Sequence, residues 1–234
     1  IDEEGLTLIS PEGTENITNV STVGSLDEVD SADLVISAIK IFGEPELPEN
    51  LPAGAKFMTT ENSVEYPMLA QEKYGADKVI PAVVRAFIHR EGPATAHFMG
   101  RGMSLTFGSL DPATESVVQE FFEALESTPI KAKIHPDILR DVWMKAMLVT
   151  CFGALGAVME EPIGVLRTTY RETLQALMTE AANVARSAGI QMKDDAVDIV
   201  LSFTDAQPGG GTASMQRDIL DGLHSELDSQ VGGI

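Results

Sequence analysis

The stretch DVWMKAMLVTCFGALGAVM, Asp141 to Met159, carries a single charge beyond Asp141, the ammonium of Lys145. Burying an ammonium is costly unless it is paired or put to use. Three environments suit it. One is a membrane helix, but the unbroken apolar run Ala146 to Met159 is shorter than the roughly 18 to 20 residues a span needs, and Thr150, Gly153 and Gly156 dilute it. Another is the rim of a core helix, with the stem packed and the head in water. The third is a pocket, where desolvation and neighbouring charges bring the pKa toward neutrality. Ile138, Val142, Lys145, Val149 and Gly153 share one helical stripe, so Lys145 has small or apolar neighbours. If that stripe faces a cleft, the ammonium is a proton donor suited to a ketone that becomes an alkoxide on receiving hydride.

Four other residues could share such a site. Lys40 is the only basic residue among the first 50 and directly follows the apolar run LVISAI. Ligands of open α/β sheets bind beyond the carboxyl ends of strands, so Lys40 is placed to hold a phosphate or carboxylate, with a solvated pair to Glu44 as the plain alternative. Asn62 follows KFMTT in the same way, and its amide offers a donor and an acceptor for a carboxamide or a ketone, or simply forms a turn. Ser214 and Glu226 would lie about 18 Å apart on one straight helix. The break at Gly222 allows both to turn toward one site, with Ser225 available to cap the final helix.

The elements that must position these residues divide into two parts. Residues 1–134 alternate strand and helix signals. Strands are expected at 34–39 and 56–60, a helix at 63–74, then strands at 79–88, 94–98 and 103–107, turning at REGP and MGRG into an antiparallel meander. PATESVVQEFFEALES, 112–127, reads as an amphipathic helix started by Pro112. From residue 135 the spacing is helical, at 137–149, 168–187 and 212–220. The fold class is therefore α/β, an incomplete Rossmann-type domain over 1–134 followed by an all-helical domain over 135–234, with a cleft between them. PGGGT, 208–212, lacks phosphate-loop spacing and reads as a loop before a helix.

Composition narrows the function classes. A net charge of −20 over 234 residues argues against nucleic acid and anionic membrane surfaces as partners. The single cysteine, Cys151, excludes an internal disulfide and a cysteine-based zinc site, and four histidines without ligand spacing suggest no metal. No signal peptide or lipidation motif is visible, which suits a reducing cytoplasm.

ADLVISAIK, TENSVE, IHREGPATAHFMGRGMSLTFG, WMKAMLVTCFGALGAVMEEPIGVLR and ASMQRDILDGLHSELD, in this order, resemble the ketopantoate reductase (2-dehydropantoate 2-reductase) family over nearly the whole chain. The lysine after tryptophan and the SM-x-x-D-I segment with its downstream Ser-Glu are the most specific parts. The resemblance implies NADP(H) as cofactor, a small-molecule 2-oxo acid reduced to the 2-hydroxy acid, and a homodimer. It assigns Lys145 as general acid, Lys40, Asn62, Ile88 (through its backbone) and Glu226 to the cofactor, and Asn62, Lys145, Ser214 and Glu226 to the substrate. Val149, Gly153 and Ile163 stand where the family has substrate-side asparagines, and Ser63 where it usually has glycine. The family's glycine-rich loop and first βαβ unit do not precede GLTLIS, so the chain is expected to be truncated at both ends. A cofactor-binding sensor or partner-binding protein on the same fold is the alternative to a reductase.

Overall fold

The structure is a computed structural model and describes residues 1, 5–99 and 102–234. Its main sheet holds five strands in the order β3-β4-β5-β8-β9. These are β3 (Leu34–Ser37), β4 (Lys56–Thr59), β5 (Val79–Arg85), β8 (Ser104–Phe107) and β9 (Lys131–Ile134). β3, β4 and β5 run parallel, β8 runs antiparallel to β5, and β9 is parallel to β8. Helix α1 (Tyr66–Tyr74) lies on one face and α2 (Glu115–Leu125) on the other. Alternation within the strands feeds both layers. Phe57 and Val79 pack with Tyr66 and Ala70, while Met58 and Ile80 pack with Phe107, Val118 and Leu125. Apolar residues on both faces explain why these strands read as continuous rather than alternating runs.

The expected meander is corrected. The run 79–88 divides into β5 and a separate β6 (Ile88–Arg90), which pairs antiparallel with β7 (Thr95–Phe98) in a second sheet ordered β2-β1-β7-β6. β1 (Leu6–Ser10) and β2 (Gly13–Ile17) form a hairpin in that sheet, and β1 joins β7 in parallel. The REGP turn closes β6 on β7 as expected, but β7 and β8 belong to different sheets. Of the MGRG turn, Gly100 and Arg101 lie outside the described residues. Turn chemistry marks where strands end; it does not select the partner when two hairpins are nested.

The C-terminal part is helical: α3 (Ile138–Met159), α4 (Ile163–Leu166), α5 (Arg171–Ser187), α6 (Ala196–Ala206), α7 (Ser214–Leu220) and α8 (Leu227–Gln230). α6 was not expected, and α3 extends ten residues past its expected end at Val149. By length and composition its 22 residues suffice to cross a membrane, so the short run Ala146–Met159 does not by itself rule that out. Tertiary packing assigns α3 to the core instead. β5 and α4 through α8 all pack on it, and Val64 and Val83 from the sheet part join Trp143, Met147, Leu174 and Met178 in one cluster.

α7 approaches α3 closely enough to require glycine. A Cβ on Gly153 would lie 2.9 Å from the Ala213 Cβ, and one on Gly156 would lie 2.6 Å from the buried Gln216 Oε1. Gln216 is not free to retreat, because its Nε2 donates to the Glu161 carbonyl at 3.0 Å. The PGGGT loop requires glycine opposite it: a Cβ on Gly164 would lie 2.7 Å from the Gly209 carbonyl oxygen, to which the Gly164 N–H donates at 2.9 Å, while the Ile163 N–H donates to the Gly211 carbonyl at 2.9 Å. Gly153→Val should overpack this seam and cost about 1–3 kcal/mol of stability, read as a lower midpoint in urea with an unchanged slope.

Candidate active site

Three adjacent parallel strands end at one edge of the main sheet, and each is followed by a polar or charged residue. Lys40 stands three residues after β3, Asn62 three residues after β4, and Arg85 ends β5. Lys40 Nζ pairs with Asp218 Oδ2 of α7 at 2.5 Å, not with Glu44. Asn62 is half-buried, and its side-chain amide makes no hydrogen bond with a described residue. Beside it Glu61 accepts from Ser37 Oγ and from the Thr60 N–H at 2.8 Å. Burial raises the Glu61 pKa above the usual carboxylate range in spite of these donors. Ser63 accepts from the Tyr66 N–H at 3.2 Å, an N-terminal contact for α1 that glycine could not make.

Lys145 meets this edge from α3. Half-buried, its ammonium makes no hydrogen bond or ion pair with a described residue. Its pKa falls to about 8, chiefly through desolvation and then through the positive charge of Arg85, while Glu226 and Asp141 oppose the shift. Arg85 is gripped from the same helix. Its Nη1 and Nη2 donate to Asp141 Oδ2 and Oδ1 at 3.0 and 2.7 Å, and Asp141 lies one turn before Lys145.

Glu226 closes the site from the C-terminal side. Only 5% exposed, it accepts from the Ile41 N–H and from Gln230 Nε2, both at 3.3 Å. Burial raises its pKa, and the nearby Lys40 partly offsets this. Glu226, not Ser225, occupies the cap position of α8. Ser214 opens α7 half-buried, between Ala213 and Met215, which both pack on Gly153 of α3. Its hydroxyl has no bond to Lys145. Ile88 lies apart, exposed on edge strand β6 of the second sheet, where it pairs with Phe98 of β7.

The tertiary structure therefore gathers Lys40, Asn62, Lys145 and Glu226 at the sheet edge and its helical cover. Arg85, Asp141 and Glu61 were missed. Arg85 ends the buried run VIPAVV in the same way that Lys40 follows LVISAI, and Asp141 precedes Lys145 by four residues, so both had a local signal. Of the substituted positions, Gly153 and Ile163 are occupied by packing: Ile163 is buried, and α7 fills the space beside Gly153.

The comparisons agree with this architecture. The family model described as ketopantoate reductase PanE/ApbA matches residues 1–112, and its C-terminal counterpart matches residues 137–234. The 2-dehydropantoate 2-reductase of Halobacterium salinarum is 23% identical, over 100% of this chain and 78% of its own. Among solved structures, 2-dehydropantoate 2-reductase from Geobacter metallireducens superposes with a TM-score of 0.81 at 23% identity, over 98% of this chain and 78% of that one. D-mandelate dehydrogenase, solved with NADH and anilino(oxo)acetate, superposes with a TM-score of 0.78 at 16% identity, over 99% and 77% of the two chains. A Rossmann-like sheet, a helical C-terminal part and matching models for both place the chain in the ketopantoate reductase family of oxidoreductases.

Proposed function

We propose that this protein reduces a 2-oxo acid, 2-dehydropantoate or a compound related to it, to the 2-hydroxy acid with NADPH, and that Lys145 is the general acid. The observation that carries this reading is an ammonium without a partner among the described residues, desolvated to a pKa of about 8, at the carboxyl edge of three parallel strands. We assign cofactor binding to residues 1–134 and the substrate side to 135–234.

The residues present fit the nicotinamide end of such a cofactor. Among the described residues the Asn62 amide has both donor and acceptor unused, Lys40 supplies positive charge from the end of the neighbouring strand, and both follow strand ends where dinucleotides bind. The Ile88 backbone is the proposed outer contact, and Glu226 is assigned to both ligands. When bound, the cofactor supplies the hydride.

Lys145 then delivers its proton to the carbonyl oxygen, where negative charge develops. A pKa near 8 leaves it mostly protonated at neutral pH while making it a readier donor than an ordinary lysine. After transfer the neutral amine is favoured by its burial and by the adjacent Arg85. Asn62 and Ser214 orient the substrate, and Glu226, fixed by Ile41 and Gln230, bounds the pocket. Val149, one turn beyond Lys145, offers no side-chain hydrogen bond, which suits a substrate with little polarity on that side.

Lys145→Ala should lower kcat by about 10²–10⁴-fold while leaving the Kd of NADPH within a few-fold, measured by NADPH oxidation with 2-dehydropantoate and a panel of 2-oxo acids. Unchanged turnover would remove Lys145 from the mechanism. The acid must be protonated for reduction, so kcat/KM for reduction, which reports the free enzyme, should fall as pH rises through about 8, and kcat/KM for oxidation of the 2-hydroxy acid should rise over the same interval. A flat profile for both directions would contradict the assignment. The packing at Gly153 and Ile163 favours a second reading, a cofactor-binding sensor or partner-binding protein, and NADPH binding with no 2-oxo acid accelerating its oxidation would select it.

A further inference from the structure

The two-pronged contact between Arg85 and Asp141 joins the last residue of β5 to the first turn of α3, across 56 residues of sequence. Arg85 is held on a third side, where its Nη1 lies 3.4 Å from Thr106 Oγ1 of β8. A guanidinium gripped by both carboxylate oxygens has little freedom to rotate, unlike a lysine in a point contact. Asp141 is mostly buried and sits one helical turn below Lys145, so whatever fixes Asp141 also fixes the height and rotation of Lys145 over the sheet edge.

We propose that Arg85 and Asp141 are positioning residues for Lys145: their ion pair locks the start of α3 to the end of β5 and sets the balance of charge that the ammonium meets. This rests on the reading of Lys145 as general acid. The pair is not a neutral spacer, because its two charges act on Lys145 in opposite directions, Arg85 disfavouring the ammonium and Asp141 favouring it.

Among the described residues, the other charges around Lys145 are few. Glu226 faces it from the head of α8. α7 brings Asp218, which is engaged by Lys40. α4, α5 and α6 contribute Leu166, Leu174, Met178, Ala196 and Val200 to the core around α3, and the α5 carboxylate that acts on this helix, Glu180, reaches Cys151 instead. The balance at Lys145 is therefore set by Arg85, Asp141 and Glu226, and removing one member of the pair should tilt it in a known direction.

The test reads Lys145 directly, in the full chain without cofactor, by the pH dependence of its acetylation mapped by mass spectrometry. The midpoint in the unaltered protein should lie near 8. Arg85→Gln should move it upward and Asp141→Asn downward, each by roughly half a pH unit or more, with the double variant between them. The basic limb of reductase turnover should move in the same sense. Arg85→Lys keeps the charge but not the two-pronged grip: its midpoint should stay near that of the unaltered protein while kcat falls several-fold and the Kd of NADPH holds. Thermal melting of each variant checks that it folds; if a single charge removal unfolds the chain, Arg85→Lys and the double variant carry the test. Midpoints that do not move, or that move together in both single variants, would overturn the charge-setting role. Full kcat in Arg85→Lys would overturn the positioning role. Loss of turnover in Lys145→Ala alongside either of these negative results would leave the general-acid reading intact and reject this inference alone.

Discussion

α3 has to hide the apolar side chains of one long helix, from Ile138 to Gly156, while leaving one ammonium at the edge of the sheet, and the surrounding elements are arranged by that requirement. α5 and α6 cover one side with Leu174, Met178, Ala182 and Val200. α7 covers another by pressing Ala213, Met215 and Gln216 against Gly153 and Gly156. What remains is directed at the end of β5, and Lys145 lies there. Close packing over the rest of the helix removes water from around its stem, and that desolvation is the largest cause of its lowered pKa.

The same edge is closed by polar contacts that reach across the chain. Glu226 accepts from the Ile41 N–H, Ser229 donates to the Ile41 carbonyl at 3.1 Å, Lys40 pairs with Asp218, and Arg85 with Asp141. These contacts differ in weight. The Lys40 side chain is 47% exposed, so its pair adds about 0–1 kcal/mol and leaves the lysine easily drawn to an anionic ligand. Glu226 is buried, and without the Ile41 and Gln230 donors its carboxylate would be costly to keep in place. The edge thus combines fixed groups with one readily exchanged cation, an arrangement that suits the cofactor role proposed for it.

Lys40, Arg85 and Lys145 bring three of the 16 basic residues of an otherwise acidic chain to one sheet edge. At physiological ionic strength charges are screened beyond about 8 Å, so this edge is governed by its own groups, where Asp218 balances Lys40, Asp141 balances Arg85 and Glu226 lies near Lys145, more than by the net −20 of the whole surface. Cys151, buried in the same helix, takes no part: burial pushes its thiol up to about 12, and it serves as a small apolar core residue, as its place in the run suggested.

Local pattern alone was enough to place the strands at Leu34 and Lys56, the helix around Lys145, the loop character of PGGGT and the candidacy of Lys40, Asn62 and Lys145, because hydrophobic periodicity records which side of an element is buried. It did not disclose α6 or the division of 79–107 between two sheets. Nor did it show that Lys40 would meet Asp218 at a separation of 178 residues, or Ile41 meet Glu226 at 185. Periodicity says that a face is covered and is silent on what covers it. Partners so distant in sequence are chosen only when the sheet order and the seam between α3 and α7 are set. The sequence by itself determined that an ammonium stands in an apolar stripe; the tertiary structure decided that it stands without a partner among the described residues, near Arg85 and Glu226, at the end of β5.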